Sequence, residues 1–69
     1  MTYIYLIYAT DTSTDVTSYH SMWDDPLKAL IVSDAHESAG EFACEIFGCQ
    51  LNGYERFVVK QKGGYNAAT

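Results

Sequence analysis

Apolar residues crowd the start of the chain, where Tyr3 to Ala9 reads Tyr-Ile-Tyr-Leu-Ile-Tyr-Ala. This is a run of β-formers with no breaker, too short for a useful helix. Ile4, Leu6 and Tyr8 share one face and Tyr3, Tyr5 and Ile7 the other, so both faces are apolar, as in a central strand. Asp11-Thr12-Ser13-Thr14-Asp15 is turn chemistry, because short polar side chains bond their own backbone. From Val16 to Trp23 the chain alternates weakly, with Thr17, Tyr19, Ser21 and Trp23 against Val16, Ser18, His20 and Met22. That alternation predicts a second strand, paired with the first as a hairpin.

Asp24-Asp25-Pro26 carries two signals, since Asp before Pro starts helices and also starts turns. Lys28-Ala29-Leu30-Ile31-Val32 is short and β-branched at its end, and reads as a short buried strand. A capped helix is predicted over 34–48. Asp34 stands at the cap with Glu37 three residues on, the capping-box spacing. Ala35, Ala39, Phe42, Ala43 and Ile46 recur at i, i+4, i+7, i+8 and i+11 as a core stripe with Phe47 at its margin, and Gly48 supplies a left-handed stop. Gly40 in mid-helix costs about 1 kcal/mol relative to Ala. Asn52-Gly53 predicts a tight turn. Tyr54 to Gln61 predicts the last strand, with Phe57 and Val59 inward and Arg56, Val58 and Lys60 outward. The sum is one α+β domain over 1–69: a small, mainly antiparallel sheet of three or four strands with one helix on one face, in the order ββ(β)αβ. Residues 65–69 are read as a loose tail.

Composition narrows the function classes. Ten aromatic residues and 48% apolar content exclude a disordered acidic tail. The net charge of −5 is uneven. Residues 1–53 hold eight acids and only Lys28, whereas 54–69 hold Glu55 against Arg56, Lys60 and Lys62. Such a surface repels nucleic acid and anionic membranes and attracts basic protein surfaces. Cys44 and Cys49 are too few and badly placed for a disulfide framework, and neither a leader peptide nor an apolar span is legible. The chain reads as cytoplasmic with free thiols.

Two candidate surfaces follow. On the predicted helix, Asp34, Glu37, Glu41 and Glu45 stack into an acidic stripe that advances about 6 Å per step from Glu37 to Glu41 to Glu45, against one phosphate per roughly 3.4 Å on a DNA strand. The alternative for this stripe is a solvated outer face. The second surface is aromatic. A helix covers only one face of a sheet, which leaves either Tyr3 and Tyr5 or their opposite row outward, with Tyr19 or Trp23, as a partner site or a homodimer face. The alternative there is that the rings fill an undersized core.

Chemistry finds no support. His20, His36, Cys44 and Cys49 lack the paired spacings of a zinc site, so no metal or cofactor is expected. Asp24-Asp25 points two ways and no phosphate loop is present, so the chain is read as no enzyme. Ile4-Tyr5-Leu6 and Gly53-Tyr54-Glu55-Arg56-Phe57-Val58 approach the signatures of an RNA-recognition motif, but one inserted residue turns the second aromatic to the wrong face.

The layout of Tyr3-Ile4-Tyr5-Leu6-Ile7-Tyr8, then Ala29 to Ala39 running into a capped helix, then a closing strand at 54–61, resembles the small acidic phage-encoded inhibitors of the anti-CRISPR type. That resemblance implies a non-enzymatic inhibitor docked on the basic surface of a host nucleic-acid-handling complex, in the host cytoplasm. Asp34, Glu37, Glu41 and Glu45 are the residues expected to meet lysines and arginines. Tyr3, Tyr5, Tyr19 and Trp23 are the expected anchors. The other expectation is an assembly module that homodimerises through its tyrosine-rich sheet face.

Overall fold

A computed structural model describes residues 3–52 and 56–61 of the chain. It contains β1 (Tyr3–Asp11), β2 (Thr17–Trp23), α1 (Pro26–Ser38), β3 (Phe42–Gln50) and β4 (Arg56–Lys60). All neighbouring strands are antiparallel, and the sheet order is β2-β1-β3-β4. The fold class is the one the sequence predicts, a small α+β domain with one helix packed on one face of one sheet. Its chain order is ββαββ.

The opening strand, the turn and the hairpin fall where the pattern puts them. Asp11 closes the turn by accepting from the backbone and hydroxyl of Ser13 at 2.8 and 2.7 Å. These bonds hold its carboxyl below the ordinary aspartate value.

The helix lies elsewhere in the chain than the periodicity predicts. Asp25 is its N-cap, accepting from the Leu27 amide at 2.9 Å, and Pro26 takes the first helical position. Residues 28–32, read as a strand, are therefore helical. The helix stops at Gly40, whose φ of +85° is the left-handed cap geometry that favours glycine. Asp34 is consequently not a cap but a residue of the penultimate turn. Phe42 to Gln50 is a strand, and Gly48 lies within it beneath the ring of Phe57. A Cβ at Gly48 would collide with that ring.

The burial of α1 explains why its residues show no helical apolar stripe. Its fully covered residues are the small Ala29 and Ser33, while Leu27 and Ile31 point to solvent. Small residues inward let the helix lie close to the sheet, and they erase the apolar stripe that marks a helix in sequence. The core is Ile7, Ala9, Ala29, Cys44 and Ile46, with Tyr5, Trp23, Leu30, Val32, Phe42 and Val59 packed around it.

Two register shifts decide where side chains point. In β2 the shift falls at His20, because Ile7 pairs with Ser21 but Tyr8 with Tyr19. In β4 it falls at Val59, because Phe47 pairs with Val58 but Ile46 with Lys60. Each is an extra residue that resets the two-residue alternation. Phe57 and Val59 face the helix side and Arg56 and Val58 the other, as predicted. Lys60, predicted to face outward, is turned inward and is 1% exposed. Gly53, Tyr54 and Glu55, and 62–69 with the predicted tail, lie outside the described residues.

Candidate functional site

The predicted acidic stripe is dispersed. Asp34 and Glu37 lie in the last turns of α1 and turn toward β4, where both bind Lys60. The Lys60 ammonium donates to Asp34 Oδ1 at 3.0 Å, to Ser33 Oγ at 3.0 Å and to Glu37 Oε1. The other Glu37 oxygen accepts from the Cys44 amide at 2.8 Å, and Ser33 donates on to the Leu30 carbonyl. Glu41 stands exposed in the α1–β3 turn, and Glu45 is on β3. No single face holds all four acids.

A buried lysine beside two carboxylates invites a catalytic reading, and its chemistry argues against one. Burial pulls the ammonium toward neutrality, but Glu37 and Asp34 outweigh that and hold its pKa above the ordinary lysine value. A lysine so held stays protonated and is not a nucleophile. It fastens the edge strand β4 to the helix. Cys44 beside it has its thiol pushed up, first by burial and then by Glu37, so it is inert as well.

A surface recess of about 280 Å³ lies between the β1–β2 and α1–β3 turns, lined by Asp11, Thr12, Ser13, Gly40 and Glu41. The Asp11 carboxylate there is engaged by Ser13 and Thr14. Among the described residues no group of three or more His, Cys, Asp and Glu side chains could hold a metal ion. His36 sits half-buried in the last turn of α1, with its ring 4.5 Å from those of both His20 and Phe42.

The predicted anchors divide between the two faces of the sheet. Tyr5 and Trp23 are cross-strand partners packed against the core, and Tyr3 meets Phe57 edge-on at 5.9 Å, all on the helix side. They form part of the core and its margin. Tyr19 alone of the four lies on the open face, 56% exposed. There it meets Tyr8 edge-on at 6.0 Å, and Tyr8 meets Phe47 at 5.9 Å. Arg56 leans over the Phe47 ring at 5.8 Å.

Strand register completes this face. Met22 pairs with Leu6, Leu6 with Phe47 and Phe47 with Val58, so one apolar row crosses all four strands. Met22 is 54% and Val58 38% exposed. On one side of that row lie Tyr19, Tyr8 and Glu45; on the other lie Ile4, Cys49 and Arg56. Phe47, Met22, Val58 and Arg56 are the site residues the sequence did not flag. No alternation over Cys44 to Cys49 marks Phe47, because it and its neighbour Ile46 are apolar on opposite faces.

The chain matches no protein-family model, no curated protein and no solved structure. Among the described residues no helix is long and apolar enough to cross a membrane.

Proposed function

We propose that this chain is a small non-enzymatic binding domain that acts by protein–protein contact through the open face of its sheet. The observation that carries this reading is the continuous row Met22, Leu6, Phe47 and Val58, edged by Tyr8 and Tyr19, over which none of the described elements packs. Exposed aromatic and aliphatic groups contiguous across a whole sheet face mark an interaction surface, and aromatic residues and arginine are the usual hot spots of one.

The net charge of −5 favours a second reading, an inhibitor of the anti-CRISPR type seated on the basic surface of a host nucleic-acid-handling complex. With Asp34 and Glu37 held by Lys60, that reading rests on the remaining acids, Glu41 foremost. Capture on tagged chain from a lysate of the source cell separates the two. Proteins retained by the parent are expected to be lost from Phe47→Ser and kept by Glu41→Gln. Loss from Glu41→Gln with retention by Phe47→Ser would overturn the sheet-face reading in favour of the acidic one.

A further inference from the structure

We propose that the open sheet face is closed by a second copy of this chain, related by a two-fold axis along the row Met22, Leu6, Phe47 and Val58, with Glu45 of each copy set beside Arg56 of the other. This rests on the reading of the open face as the binding surface and names its occupant.

The symmetry comes from the register. A two-fold axis lying in the face and running across the strands reverses strand direction and leaves each strand above its own copy. Residues on the axis meet themselves, so Phe47 packs on Phe47, Leu6 on Leu6 and Met22 on Met22. All four residues of the axial row are apolar, so none of these self-contacts sets like charge on like charge. The row on one side of the axis is carried over the row on the other. Tyr8 then stands over Ile4 of the second copy, and Glu45 over Cys49 with Arg56 alongside. With one acid and one base among its described strand residues, at matching offsets from an apolar axis, the face is complementary to itself.

Both charges are available for this pairing. Among the described residues neither Glu45 nor Arg56 makes an ion pair or a side-chain hydrogen bond. Arg56 already lies against the Phe47 ring, so its guanidinium leans toward the axis. The −5 on each copy opposes association over long range. That repulsion is screened beyond about 8 Å at physiological salt, and the Glu45–Arg56 pairs act at shorter range.

Area points the same way. Two strands of nine residues, one of seven and one of five, about 4.8 Å apart and roughly 3.3 Å per residue, give a face of ~480 Å² before side-chain relief. Stable interfaces bury upward of roughly 600 Å² per partner, so only an occupant covering nearly the whole face suffices. A second sheet of the same size and twist does so, at the roughly 10 Å face-to-face spacing and 30° rotation of packed sheets.

Sedimentation equilibrium from micromolar to millimolar chain, with circular dichroism to confirm folding, tests the proposal through a charge-swap cycle. The parent is expected to move from monomer to a species of twice 7.7 kDa. Glu45→Arg and Arg56→Glu are each expected to weaken the dimer about tenfold, and the double swap to restore it to within about threefold. A parent that stays monomeric at millimolar concentration overturns the proposal, as does a dimer indifferent to both single swaps. If that monomer still loses a captured protein on Phe47→Ser, self-association alone has failed and the open-face reading stands. If Phe47→Ser changes neither capture nor mass, both have failed.

Discussion

Lys60→Met is expected to destabilise the fold by about 2–3 kcal/mol in urea unfolding, the largest effect of any single charge removal in this chain. The ammonium is 1% exposed and binds two carboxylates and a serine hydroxyl that join β4 to α1. Removing it leaves Glu37 and Asp34 facing an apolar stem. Breaking a fully buried pair costs roughly 3–5 kcal/mol, and the figure here is lower because Asp34 is 48% exposed and can turn to water. A 69-residue domain at about 0.05–0.15 kcal/mol per residue has little to spare. Adding Glu37→Gln to Lys60→Met is expected to recover part of the loss, since the amide oxygen can still accept from Cys44 while the unpaired charge is gone. The pH dependence has a fixed sign. Because the folded pKa of Lys60 is raised, its contribution is complete below the unfolded lysine value of about 10.4 and is lost as pH rises through the folded one. The gap between parent and Lys60→Met should therefore hold steady through neutral pH and close in strong alkali.

Adjacent residues on β3 are expected to fail in opposite ways. Ile46 is fully buried against Ile7, Ala29 and Cys44, and Ile46→Ala should cost about 2–5 kcal/mol. Phe47 looks out from the other face and touches Tyr8 and Arg56, so Phe47→Ala should cost only about 1 kcal/mol and abolish association. Denaturation midpoints and sedimentation on the two variants give the contrast. Comparable destabilisation by both would mean that the two residues share one covered face.

The sheet was legible in the sequence because β1 is apolar on both faces and its turn is written in Asp, Ser and Thr. The position of the helix was not. Phe42 to Gly48 is apolar on both faces of a strand, so alternation fades and the run satisfies helical spacing as well. The true helix hides its identity behind Ala29 and Ser33, although Asp25-Pro26 announced its start and Gly40 its stop. With 34–48 read as helix, Asp34, Glu37, Glu41 and Glu45 form a stripe, which the fold divides among a helix end, a turn and a strand. Plain alternation places Lys60 outward, and one extra residue at Val59 inverts that parity in the last strand. No sequence pattern marks such a bulge. The open-face row emerges only from the pairing of four strands, which residue spacing within one strand cannot supply.

The amide spectrum of isotope-labelled chain, followed on dilution from millimolar to micromolar, tests most directly the claim that the open sheet face binds a second copy of this chain. Shifts should be confined to Leu6, Tyr8, Met22, Glu45, Phe47, Arg56 and Val58, with Ala29 and Ser33 under the helix unmoved. Shifts centred on Asp34, Glu37 and Glu41, or none at any residue, would contradict it.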